Sequence, residues 1–282
     1  MASVSDVRPS PIAGAWYSAD SQLLSRQLEQ LIDHATIPDL PGQVLGLIAP
    51  HAGYRYSGRT AAHAYKAVRG QHFDLVVVLS PLHDFHPAPF LTSAHKAYAT
   101  PLGKVEVDSE AVSFLHQHIN ESEHIGLFPI ANDREHSLEI ELPFLQIALS
   151  GSFQLLPVMI RSLSAPMLRA LGQAVAKLAE SKTLLLVAST DLSHFNDVKT
   201  AQGLDTEMLH QMETLDPNGV LETERRGSGY ACGAGAVAAM LWASLSLGAD
   251  RARILHYSTS ADETGDRSSV VGYGAVAICK TL

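Results

Sequence analysis

The sequence predicts an α/β fold: a single domain with a mostly parallel central sheet flanked by helices. Three observations carry that reading. Short apolar runs recur along the chain, several of them continuous rather than alternating, as strands covered on both faces require. Helix-patterned segments lie between these runs. No Ser/Gly linker, charge block or internal repeat divides the 282 residues, so 1–282 reads as one domain.

The candidate strands are 44–49, 75–79, 155–160, 184–188, 254–257 and 270–278. After the first, Ser57 is placed to cap a helix running to about Val68. Asp108 precedes "SEAVSFLHQHI", a helix with an acidic first turn. Residues 138–149 are amphipathic, with Pro143 acceptable only near the start. Ser164 precedes "APMLRALGQAVAKLAE", where Leu168, Leu171, Val175 and Leu178 recur at helical spacing. Residues 204–212 form a further candidate helix. The segment 231–249, "ACGAGAVAAMLWASLSLGA", is uncharged and close to the roughly 20 residues that span a bilayer. Its Ala, Gly and Ser content, without aromatic belts or basic flanks, reads instead as a helix buried inside an α/β protein.

With 46% hydrophobic and 17% charged residues, the chain can bury a sizeable core. The net charge of −9 lacks the basic footprint of a nucleic-acid binder. Two cysteines, Cys232 and Cys279, make no disulfide framework, which suits a reduced, cytoplasmic protein. The opening "MASVSDVRPSPIAGAWY" has neither the basic flank nor the apolar run of a secretory signal.

In open α/β sheets, ligands bind beyond the carboxyl ends of the strands. Three apolar runs each deliver a histidine within a few residues of that end: Pro50-His51, "SPLHD" with His83, and "STDLSH" with Asp191 and His194. A lone histidine there is an ordinary loop residue; three in equivalent positions predict one shared site. Neutral imidazole is the commonest transition-metal ligand. Histidines joined by an anion suit non-haem iron, zinc or copper. Asp84, Asp191, Glu139 and Cys232 are the anionic candidates. Cys232 lies where a Gly-rich loop turns into a helix, a position that lowers a thiol's pKa, although a small buried hydrophobe is the equal alternative. A fourth cluster, "EHSLEIELPFLQ", sets His136 three residues before Glu139, either as part of the site or as a helix start with solvated acids. Cys279, in an apolar run, reads as core. The "GAGAVA" at 233–238 lacks the preceding strand and following acid of a dinucleotide site. The chain also contains no P-loop, H-E-x-x-H helix or G-x-S-x-G elbow.

Read together, "PHAGYRYSG", "TPLGKVEVD", "HSLEIELPFLQ", "STDLSH" and "CGAGAV" resemble, in that order, the Memo family, whose microbial members are called AmmeMemoRadiSam system protein B. The two ends of the chain, "RPSPIAGAWYSAD" and "ILHYSTSADETGDRSSVVGYGAVAI", carry the same resemblance. It implies a fold like the class III extradiol dioxygenases, which are non-haem Fe(II) enzymes, and a cleft lined by His51, His83, Asp191, His194 and Cys232. The implied assignment is a divalent metal, Fe(II) first and Cu or Zn next, held by His51, His83 and Cys232. Asp191 is then a fourth ligand or an orienting partner, His194 the general acid/base, and His136 a further catalytic group. Tyr54, Arg55 and Glu139 are assigned to substrate. The other class of reading is a module that binds a peptide or anion without catalysis, since Arg55 and Arg59 follow His51 closely. The family's name also implies a radical SAM protein as partner; no cysteine triplet for an iron–sulfur cluster is present in this chain. Neither nucleic acid nor membrane is an expected partner. The sequence departs from the usual pattern near the cleft: "SPLHD" stands where "GPSHH" is common, and Ala234 where an arginine usually follows "CG".

Overall fold

The structure, a computed structural model, describes residues 5–123 and 125–281. The chain begins β1 (Val7–Arg8), α1 (Ser21–His34), β2 (Gln43–Ala49), α2 (Tyr54–Lys66) and β3 (Leu75–Pro81). It continues through β4 (Phe90–Ser93), β5 (Ala97–Thr100), β6 (Gly103–Glu106), α3 (Ser109–Glu123), β7 (Phe128–Ile130) and α4 (Glu141–Ala148). Next come β8 (Gln154–Ile160), α5 (Ala165–Lys177), β9 (Leu184–Ser189), β10 (His194–Asn196), α6 (Val198–Glu213) and α7 (Pro217–Arg226). The last elements are α8 (Ala234–Ser246), β11 (Arg251–Thr259), α9 (Ala261–Thr264) and β12 (Val270–Lys280).

The main sheet is mixed. Its centre, in the order β2-β9-β3-β8, is parallel. Antiparallel strands flank the centre: β12 beside β2, with β11 and β10 paired to β12, and β4 beside β8. The parallel strands are those whose sequence reads as continuous apolar runs, because both faces are covered. In β3, Leu75, Val77 and Leu79 enter the core shared with α3, α5 and α8. Val76 and Val78 enter the opposite core, shared with α1, α2 and α4. The uncharged 231–249 segment is α8, buried over Ala234–Ser244. Among the described residues, no helix is long and apolar enough to cross a membrane.

Two sequence expectations shift. Helix α2 starts at Tyr54 with Gly53 as its N-cap, so Ser57 is not the cap; its hydroxyl donates to the Ala52 carbonyl from inside the first turn. Regular α4 starts only at Glu141, which leaves Pro143 in the first turn where it costs no hydrogen bond. Helix α1 lies outside the expected elements although its signals are plain. Asp20 accepts from the Leu23 N–H, and Leu24, Leu28 and Ile32 recur every fourth residue and are buried.

Register brings the strand ends together. Ala49 of β2 pairs with Ser189 of β9, and Ala188 of β9 pairs with Leu79 of β3. The loops carrying His51, His83 and Asp191 therefore leave the sheet at one edge.

Candidate metal centre

His51 leaves β2 through Pro50 and is buried. Its Nδ1 lies 2.9 Å from the Ser189 hydroxyl. That hydroxyl has acceptors in the Ser137 carbonyl and a Glu141 oxygen, so it receives the Nδ1 proton and leaves the lone pair on Nε2. The Asp191 carboxylate accepts the His51 backbone N–H at 2.8 Å. His83 follows β3. Its backbone N–H and Nδ1 both donate to Glu135, at 2.6 and 2.9 Å, which again leaves the ring's lone pair on Nε2. His136 comes from the loop between β7 and α4, with its backbone N–H bound to the same carboxylate at 2.9 Å. The His83 and His136 rings stack at 4.8 Å, and His51 meets each edge-on at 5.4 Å. One ring nitrogen from each of His51, His83 and His136 falls within 4.8 Å of the others, a set that can hold a metal ion.

The electrostatics favour a cation there. Burial, then His136 and His83, hold His51 well below the ordinary imidazole range. Burial lowers His136 to about 4 against the pull of Glu135. Both rings are neutral at pH 7 and offer lone pairs. Glu135 works in the other direction: burial opposes its charge, but the bonds from His83 outweigh this and hold it far below the usual carboxylate range. His83 is correspondingly raised, first by its hydrogen bond to Glu135.

The remaining assigned residues divide. Asp191 and His194 line the same cleft of about 420 Å³, with Trp16 and Tyr56 as its aromatic walls. Burial raises Asp191 to about 7 although the His51 and Ala52 N–H groups stabilise its anion. It therefore anchors the His51 loop. His194 donates from Nδ1 to the Leu192 carbonyl at 2.8 Å and keeps Nε2 for the cleft. Cys232 stands outside the three-histidine set, with Sγ 3.1 Å from His51 Nε2. The expected low thiol pKa is corrected: desolvation and then Asp191 raise it. The helix start does not offset these causes, because α8 begins at Ala234 and Cys232 lies before its Gly233 cap.

The three residues assigned to substrate lie outside the cleft wall. Tyr54 is buried and donates to the Ile140 carbonyl at 2.6 Å. Glu139 is fully buried, bound by Arg8 at 2.6 Å and Tyr17 at 2.7 Å. Arg55 is exposed, lies over the Tyr56 ring and is not in the cleft wall. Sequence reasoning passed over Glu135 and Arg8. Glu135 had one local signal, a carboxylate immediately before His136. Arg8 had none, because its partners Asp133, Glu135 and Glu139 lie 125 to 131 residues away.

Fold and site together define an α/β protein with a three-histidine, metal-capable centre at the carboxyl edge of its parallel strands. The family model described as "Memo-like protein" matches residues 8–277. A MEMO1 family protein of Nitrosopumilus maritimus is 35% identical over 274 residues, covering 96% of this chain and 98% of the relative. One from Methanopyrus kandleri is 35% identical over 279 residues, covering 95% and 98%. Another, from Methanosarcina barkeri, is 34% identical over 274 residues, covering 96% and 100%. The chain belongs to the Memo family.

Proposed function

We propose that the protein is a metal-dependent redox enzyme of the dioxygenase-like type, acting on a small molecule bound in the His51–His194 cleft. The observation that carries the reading is the three-histidine set, in which His51 and His83 each have Nδ1 engaged, so that Nε2 is the ligating nitrogen; at His51 an ion would displace the Cys232 S–H contact. Partners of this kind orient metal-ligating histidines and raise their affinity. The donor set fits a divalent first-row ion, and Fe(II) is the assignment we favour over Cu or Zn. Bound there, the ion supplies Lewis acidity and one-electron redox chemistry.

The chain supplies the rest. Trp16 and Tyr56 give the substrate an apolar wall and exclude water. His194, lowered by burial and so neutral, accepts a substrate proton at Nε2 and later returns it. Asp191 holds the His51 loop in place through two backbone bonds. Cys232 Sγ lies 3.1 Å from His51 Nε2, within reach of the same site.

The test is metal analysis of protein purified without chelator, followed by assays with a catechol panel, Fe(II) and air. Wild type should carry stoichiometric metal. His51→Ala, His83→Ala and His136→Ala should lose it, and Cys232→Ala shows whether sulfur belongs to the set. His194→Ala should keep metal but turn over about 10²–10⁴-fold more slowly. Equal, negligible metal in all variants would refute the metal centre. Bound metal without ring-opened product would refute the enzyme reading and favour a binding module.

A further inference from the structure

A second cavity, of about 600 Å³, opens between α1, α2 and β11 and shares no wall residue with the metal cleft. Its polar wall is Gln27, Gln30 and His34 from α1, Arg59 and His63 from α2, and His256 from β11. Among the described lining residues there is no carboxylate, in a chain with net charge −9. Arg59, which the sequence places near His51, turns into this cavity instead. Its Nε lies 3.9 Å from a Glu263 carboxylate oxygen, and its side chain is 54% exposed.

Each of the three histidines has Nδ1 engaged. Nδ1 of His34 donates to the Gln30 carbonyl, and Nδ1 of His63 to the Arg59 carbonyl. Nδ1 of His256 pairs with the Thr60 hydroxyl at 2.9 Å, itself 2.6 Å from the Ser258 hydroxyl. His34 and His63 therefore present Nε2 as an acceptor. His63 and His256 stack face to face, with centroids 4.1 Å apart and planes 14° from parallel. Parallel lone pairs do not converge, so this pair is poorly shaped to chelate a metal.

We propose that this cavity is a second ligand site, independent of the metal centre, that takes a phosphate or phosphomonoester. The wall offers donors, in the Arg59 fork and the glutamine amides, beside imidazole acceptors. A ligand that fits must present oxygens to the first and a proton to the second. Hydrogen phosphate does both near neutral pH; sulfate and carboxylates present oxygens only. The volume exceeds a bare phosphate and leaves room for an organic group. Burial keeps the stacked rings neutral: His256 falls to about 4, by burial first, then His63 and Arg59, and His63 is lowered by burial. Two acids outside the wall act on its residues: Asp262 on His256 and Glu263 on Arg59. With the rings neutral, the ligand's own proton is donated to Nε2 while its oxygens accept from Arg59 and the glutamine amides.

Calorimetric titration of the full chain with inorganic phosphate, glycerol phosphate and sulfate tests this. Phosphate should bind about tenfold tighter than sulfate, and Arg59→Ala should weaken it about tenfold. His51→Ala should bind phosphate as wild type does, which separates this site from the metal reading. Tighter binding of glycerol phosphate identifies the ligand as an ester; equal binding identifies free phosphate. Because His256→Asn disturbs a packed stack, ring resonances of His63 and His256 in the wild-type protein give a second readout and should shift with phosphate. No saturable binding up to about 10 mM, equal affinity in Arg59→Ala, or equal affinity for sulfate would overturn the proposal.

Discussion

Replacing Glu135 by Gln should weaken the metal centre while leaving all three histidines in the chain. The Oε1 position accepts from His83 Nδ1 and from the N–H groups of His136 and Ser137; the Oε2 position accepts from the His83 N–H at 2.6 Å. A glutamine can keep its oxygen at the first position, but its NH₂ then faces the His83 N–H, donor against donor. Turning the amide over exposes three donors to the NH₂ instead. One unpaired, part-buried N–H costs about 1–3 kcal/mol. The His83 tautomer also loses its anionic anchor, and loss of such a partner lowers metal affinity about 10–100-fold. That corresponds to about 1.4–2.8 kcal/mol. Competition against a chromophoric chelator measures the affinity, and urea unfolding of metal-free protein measures the structural part. A Glu135→Gln protein that binds metal as tightly as wild type would refute the argument that Glu135 orients His83.

Arg8→Met should destabilise the fold by about 3–5 kcal/mol, because it strands the buried carboxylates of Glu139 and Asp133. Urea unfolding checks this, and the Arg8→Met/Glu139→Gln double variant should recover part of the loss. Glu141 is raised by burial from 4.5 to about 8, so the folded state holds a proton that the unfolded chain releases. Its contribution is fully present below pH 4.5 and is lost as pH rises to about 8. Wild-type urea midpoints should therefore fall over that window, and Glu141→Gln should flatten the fall. Gly233→Ala would overlap the Ser189 carbonyl and set Cβ 2.8 Å from Thr190 Cβ. It should cost about 1–3 kcal/mol and displace Cys232, read as a lower melting temperature and slower reaction of the thiol with a disulfide reagent.

The sequence by itself determined the α/β class, the central parallel strands, the buried 231–249 helix, and the strand-end positions of His51, His83, Asp191 and His194. These follow from local rules: continuous apolar runs for covered strands, and turn residues where the strands stop. Tertiary structure alone decided which side chains meet. It moved His136 from a catalytic neighbour into the three-histidine set, turned Tyr54 and Glu139 inward, and sent Arg59 to another cavity. It also made Glu135 the anchor of His83 and tied Arg8 to the loop that carries both Glu135 and His136. The physical reason is that hydropathy period reports a residue's face on its own element. A hydrogen bond across 131 residues, such as Arg8 to Glu139, exists only when β1 and the loop before α4 are brought together by packing.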